Sequence, residues 1–340
     1  MRLPGVGSRT PLALVLVVMS VLSVAAGCGV RSTDDTSDTS APRSPVPVGS
    51  SGHWIAAGGR DRTFLVYRPS SLPASTPVPL VVMIHGGGGS AAGAESKYGW
   101  DRLADQNKFV VAYPDGVGRS WNGGGGCCGA AGRTVVDDVG FLNAMITRIG
   151  QSIPIDPNRQ FATGISDGGI MAYRLACDSP ALAAIGPDAA TQVGPCPKPA
   201  PLSLIHVHGS DDPRVPIDGR PGAGVNHITG GRSIAALVAG WRGIDDCPPP
   251  SVSTHGALVT TTSRCPLGRA VTLIVVTGGG HEWPGSPGRT DGPADSAFDA
   301  TSVIWQFFAA HPRVAAHPTA ERGLRPTAER DQHTADQGSR

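Results

Sequence analysis

A chain of 340 residues, 47 of them Gly and 31 Pro, has room for one large domain or two small ones, and 40% apolar residues suffice for a core. With 28 Lys and Arg against 27 Asp and Glu, the net charge of +1 argues against nucleic acid as a partner.

From the N-terminus, residues 1–27 set Arg2 and Arg9 ahead of an apolar stretch from Pro11 to Ala26. That stretch is short for a membrane span and ends in small residues, the layout of an export signal peptide. It closes on Val24-Ala25-Ala26-Gly27-Cys28, which resembles a bacterial lipobox with Ala25 where leucine is usual. The resemblance implies lipidation of Cys28 and an extracytoplasmic protein, either anchored to the membrane in the cell envelope or secreted. Residues 28–52 are rich in Ser, Thr, Asp and Pro. Such a segment cannot bury enough surface to offset its ordering entropy, so a disordered tether is expected. Residues 312–340 read the same way, with Pro318-Thr319-Ala320-Glu321-Arg322 repeated at 326–330, and are expected to be a disordered tail. Residues 53–311 remain as the folded domain.

Within that domain, His53–Ala57 and Thr63–Arg68 flank Gly58-Gly59-Arg60-Asp61 and predict a hairpin. Leu80–Ile84 and Phe109–Tyr113 are continuous apolar runs, as strands buried on both faces are. Apolar residues at 139, 142, 145, 146 and 149 keep helical spacing after Asp137-Asp138, either of which can cap the helix. A strand over Phe161–Ile165 and a helix over Gly168–Ala176 follow. Strand Leu202–Val207, helix Ser233–Trp241, strand Val271–Val276 and helix Ser296–Ala309 complete the series. This alternation predicts an α/β fold in a single domain, a mostly parallel central sheet flanked by helices.

Four motifs fall at strand ends. Gly164-Ile165-Ser166-Asp167-Gly168 matches the Gly-x-Ser-x-Gly elbow, whose small residues permit the sharp strand-to-helix turn that lifts a serine nucleophile. Alone, the same run is as readily a plain glycine turn. After the Leu80–Ile84 strand comes His85-Gly86-Gly87-Gly88-Gly89, which can turn N–H groups toward a developing oxyanion. Gly87 and Asp167 are the expected donors, and His85 is placed beside the substrate pocket. No Gly-Lys-Ser/Thr follows, so a phosphate loop is excluded. Asp211-Asp212-Pro213 follows the Leu202–Val207 strand and His281 the Val271–Val276 strand. Serine, acid, histidine is the chain order of α/β-hydrolases and not of trypsin-like or subtilisin-like proteases. In that order Ser166 attacks, His281 takes its proton, and the aspartate holds the imidazole tautomer. His206 and His208 alternate along their strand, so that at most one faces the site, and both are read as structural.

Beyond Cys28 the cysteines are Cys127, Cys128, Cys177, Cys196, Cys247 and Cys265, an even set that suits disulfides in an exported protein. Local spacing favours Cys177–Cys196 and Cys247–Cys265. Cys127 and Cys128 are then left as a vicinal pair, or exchange partners with the others. No Cys-x-x-Cys or grouped His/Cys set is present, and neither a metal nor a cofactor is expected.

Several of these stretches together resemble the polyhydroxybutyrate depolymerase and feruloyl esterase group of α/β-hydrolases, in particular the esterase lipoproteins of mycobacteria. They are Leu80–Gly89, Tyr113–Gly116, Trp121-Asn122 with Cys127-Cys128, Val136–Phe141, the Ser166 elbow, His208-Gly209 with Asp212-Pro213, and Gly279–Gly285 around His281. The resemblance implies a serine carboxylic ester hydrolase working through an acyl-enzyme on a small aryl or acyl ester or a polyester. It implies Asp212 as the acid, because the group's aspartate precedes proline, and it sets Trp121 and Trp283 near the pocket mouth. Asp167 stands where Asn or Ala is common and Glu282 where Thr is common. Competing readings are an envelope acyltransferase, a serine peptidase, and a non-catalytic binding lipoprotein on a hydrolase scaffold.

Overall fold

The computed structural model describes residues 46–73, 75–223, 231–286 and 298–314. The expected signal peptide, Cys28, most of the tether and the tail from 315 onward lie outside the described residues.

A hairpin of β1 (Gly49–Ala57) and β2 (Arg60–Arg68) leads into β3 (Val78–Ile84), helices α1 (Ala91–Tyr98) and α2 (Trp100–Asn107), and β4 (Val110–Pro114). Helices α3 (Gly129–Arg133) and α4 (Asp138–Gly150) precede β5 (Ile155–Ile165), α5 (Asp167–Asp178) and β6 (Ala184–Asp188). Then come β7 (Ser203–Gly209), α6 (Ile234–Ile244), a second hairpin of β8 (Ser251–His255) and β9 (Leu258–Arg264), β10 (Ala270–Val276) and α7 (Ala300–Ala310). The described strands form one ten-stranded sheet ordered β1-β2-β4-β3-β5-β6-β7-β10-β9-β8. Its six inner strands, β4 to β10, run parallel, and the two hairpins close the edges antiparallel.

Successive strand residues face opposite sides of a sheet, and β3 feeds both layers in this way. Leu80, Val82 and Ile84 pack with Phe141, Met145, Tyr173 and Trp241 from α4, α5 and α6. Val81 and Met83 pack on the other side with Trp100, Leu103, Trp305 and Phe308 from α2 and α7. Both layers hold a covered parallel sheet, which is why its strands read as unbroken apolar runs. Asp137 caps α4, accepting from the Gly140 N–H at 2.8 Å.

The domain starts before residue 53. Gly49–Gly52 pair in register with Arg68–Leu65, and Val46 is buried. Gly49-Ser50-Ser51-Gly52 looks like linker because its side chains are small and polar, yet backbone pairing to β2 needs no apolar group. At the other end, the Arg313 N–H donates to the Asn158 carbonyl near the start of β5 and its guanidinium to the Leu182 carbonyl. Both ends of the described domain therefore leave at the edge of the sheet opposite the C-terminal ends of β3 and β5.

Candidate active site

The order of strands reverses around β3, whose neighbours are β4 and β5, and open α/β sheets bind ligands at such a point, outside the C-terminal strand ends. Gly86–Gly89 follow β3 there, and Ser166 follows β5. Ser166 joins β5 to α5 with φ +56° and ψ −121°, a conformation costly for a residue with a Cβ. Its N–H donates to the Asp188 carbonyl at 2.9 Å and its carbonyl accepts from the Ile170 N–H at 2.9 Å, so β6 on one side and the first turn of α5 on the other hold the turn. The flanking glycines are steric necessities. A Cβ on Gly164 would meet the Gly168 backbone and the Ile84 carbonyl at 2.6 Å, and one on Gly168 would strike the Ile84 and His85 carbonyls.

Ser166 and His281 line one cleft of about 460 Å³ together with Gly86–Gly89, Asp167, Ile170 and the two cysteines 127 and 128. His281 Nδ1 lies 2.8 Å from Asp212 Oδ2. A buried carboxylate at that distance fixes the proton on Nδ1 and leaves Nε2 as the acceptor. Asp212 Oδ1 accepts from the Arg214 and Val215 N–H groups at 2.8 and 2.9 Å. Burial alone would raise the Asp212 carboxyl, but His281 and these two N–H groups outweigh it and hold the group below its ordinary value. Asp211 is exposed and takes the Ser210 hydroxyl instead. No hydrogen bond joins Ser166 to His281 among the described residues, and such contacts often tighten only with substrate bound.

The glycine loop is ordered by its own N–H groups. That of Gly88 donates to the Arg119 carbonyl at 2.7 Å and that of Gly89 to the Gly86 carbonyl at 2.9 Å. Those of Gly87 and Asp167 find no acceptor among the described residues. A Cβ on Gly87 would sit 3.7 Å from the Asp167 side chain, so the two free donors belong to neighbouring residues beside Ser166.

Three residues expected at the pocket stand behind its wall. Trp121 is fully buried, its indole N–H donating to the His85 carbonyl at 2.9 Å. His85 is buried too: the Gly116 N–H donates to Nε2, so Nδ1–H donates to the Gly86 carbonyl. Trp283 donates to Thr301 Oγ1 and packs on Tyr98. Large rings with one polar atom are buried most favourably where that atom finds a partner, and here each partner lies in the protein.

His206 and His208 also depart from expectation. Residues two apart on a strand share a face, and their rings stack with Nε2 of the first 3.0 Å from Nδ1 of the second. The Val215 carbonyl, 2.7 Å from His208 Nε2, can only accept, which sets the direction of the whole chain. Tyr173 O–H donates to His206 Nδ1, His206 Nε2–H to His208 Nδ1, and His208 Nε2–H to Val215, in the same turn that feeds Asp212. Burial keeps both imidazoles below their ordinary value and therefore neutral. Sequence reasoning missed Asp188, which is wholly buried at the end of β6. Burial above all, with Asp212 and Glu282 adding, pushes its carboxyl well above the ordinary value.

Disulfides join Cys177 to Cys196, Cys247 to Cys265, and Cys127 to Cys128. The sulfurs of the vicinal pair lie within 4.8 Å of an Asp167 oxygen. Bonded to each other, they offer no thiolate to a metal. Asp167 Oδ2 accepts from the Trp121 N–H at 3.0 Å, while Oδ1 has no partner, and burial raises the carboxyl to about 7.

No family model matches the chain. It is 29% identical over 237 residues to feruloyl esterase B of Piromyces equi, across 65% of this chain and 42% of that enzyme, and so spans less than half of that enzyme's length. It is 26% identical over 259 residues to feruloyl esterase C of Emericella nidulans, across 73% of this chain and 84% of the relative. Acetyl xylan esterase from Aspergillus awamori superposes with a TM-score of 0.55 at 16% identity, over 76% of this chain and 99% of that one. The last likeness establishes the α/β-hydrolase fold.

Proposed function

We propose that this carboxylic ester hydrolase of the α/β-hydrolase class, a relative of feruloyl and acetylxylan esterases, works through Ser166, His281 and Asp212 by way of an acyl-enzyme. The observation that carries the reading is that His281, paired with the buried Asp212, opens onto the same cleft as a serine held in a strained elbow. His281 Nε2 takes the Ser166 proton as Oγ attacks the ester carbonyl, and then delivers it to the departing alcohol. The carbonyl oxygen, now anionic, takes the unused N–H groups of Gly87 and Asp167. Water, deprotonated by the same imidazole, attacks the acyl carbon and releases the acid and Ser166. Asp212 keeps the Nδ1 proton in place and stabilises the imidazolium.

Three disulfides suit an oxidising compartment, in keeping with export and with an anchor at Cys28. Hydrolysis of p-nitrophenyl butyrate by the full chain tests the reading. Ser166→Ala is expected to lose roughly 10⁴-fold in kcat. Equal rates from both proteins, or none from either, would sink it. Acetyl, butyryl, feruloyl and hydroxyalkanoate esters, compared on the same protein, then rank the acyl groups.

A further inference from the structure

The buried side of the cleft is largely apolar, with Ile165, Ile170 and the Cys127–Cys128 disulfide beside Asp167, while the exposed charged residues at its mouth are all cations. Lys97 reaches it from the last turn of α1, Arg119 from the loop after β4, and Arg214 from the turn after β7. All three are exposed, and none has a carboxylate within 4.0 Å among the described residues. Arg119 spends only Nε, on the Gly89 carbonyl at 3.1 Å, and its outer nitrogens have no acceptor among those residues. Asp167 is the one carboxylate in the lining, and burial leaves it only partly ionised near neutrality. Glu282 follows His281 in sequence but is not part of the lining. In a chain whose net charge is +1, three cations without a carboxylate partner among the described residues, converging from separate segments on one small opening, are a local excess. A cleft walled by low-dielectric groups focuses such a field on whatever enters.

We infer that the cleft selects esters that carry a free carboxylate, half-esters of dicarboxylic acids or acid-terminated ester oligomers, whose anion is held at the mouth by Lys97, Arg119 and Arg214 while the ester lies over Ser166. The guanidinium forks suit a carboxylate bidentately, and the largely apolar buried side suits a short methylene arm between the two groups. The inference rests on the esterase reading and sharpens its substrate class.

The test compares kcat/KM per ester bond for monoethyl adipate, an anion, and diethyl adipate, which is neutral, using the full chain. At low ionic strength the monoanion is expected to be favoured about tenfold, and the preference should shrink toward unity near ~0.5 M NaCl. Replacing all three cations (Lys97→Gln, Arg119→Gln, Arg214→Gln) should bring the ratio toward one without added salt. Arg119→Lys with Arg214→Lys should retain it. A ratio of one or below in the natural chain, or a preference indifferent to salt, overturns the inference even if the triple variant fails to fold. A chain that cleaves p-nitrophenyl butyrate but neither adipate ester overturns the inference alone, and one that cleaves none of the three refutes the esterase reading instead. The charge inference is then read from adipate binding to the same protein by calorimetry, where binding weakened by salt supports it and no binding overturns it.

Discussion

Asp167 sits one residue past Ser166 with one carboxylate oxygen on the Trp121 N–H and the other unpartnered. Its folded-state carboxyl titrates at about 7 against an ordinary 3.8, because burial disfavours the charged form. Below both values each state holds the proton and Asp167 is neutral to stability. Between them only the folded state holds it, so stability falls as pH rises across that window and stays reduced above it. Asp167→Asn keeps the shape and has no proton to lose. It is expected to raise Tm relative to the natural chain near pH 8, with little difference near pH 4. An equal Tm difference at both pH values would contradict this. At this scale the meeting of Ser166, Asp212 and His281 at one end of the sheet was legible because each motif follows a strand that can be recognised by its apolar run. His85, Trp121 and Trp283 were not, since nearness to a motif in sequence does not tell whether a ring faces the cleft or braces its back. The histidine pair was misread by a wrong use of the strand period, and the hydrogen bond between their rings corrects it.

The elements that sequence reasoning passed over lack the signal it relies on. Helix α1 buries only Ala91 and Ala94, too small to mark a face. All five residues of β8 are exposed, so no alternation reveals the outer hairpin. Strand β6 is short and carries Gly186 and Pro187, and the glycine is required: a Cβ there would meet Ile304 at 2.7 Å and Phe308 at 3.0 Å on α7. What fastens these weakly marked pieces is covalent as well as apolar. Cys177 at the end of α5 is tied to Cys196 beyond β6 across a separation of 19 residues. Closing a loop of that size in the unfolded chain is worth about 3 kcal/mol. The Cys177→Ala, Cys196→Ala double variant is expected to lose about that much in denaturant unfolding. A loss below about 1 kcal/mol would mean that packing alone holds the two segments together.

For the molecule as a whole, a single α/β domain with a mostly parallel sheet could be read from the alternation of apolar runs, but the strand order could not. Which strands adjoin depends on contacts between distant segments, and only they bring the loops after β3 and β5 side by side. The ends were misjudged where polar residues pair through the backbone, as at Gly49–Gly52. An anchor at Cys28 makes its own prediction: Cys28→Ala should move the protein from the membrane fraction to the soluble fraction of its host. Retention of the variant in membranes would count against lipidation. The course of the chain at Val46 and Arg313 has a practical consequence. The domain hands out both ends at the foot of the sheet, and Ser166 opens at the head. A bead or fusion partner joined directly at the ends of the described domain, Val46 or Arg313, would sit away from the mouth of the cleft and leave it free to meet a substrate too large to diffuse around the protein.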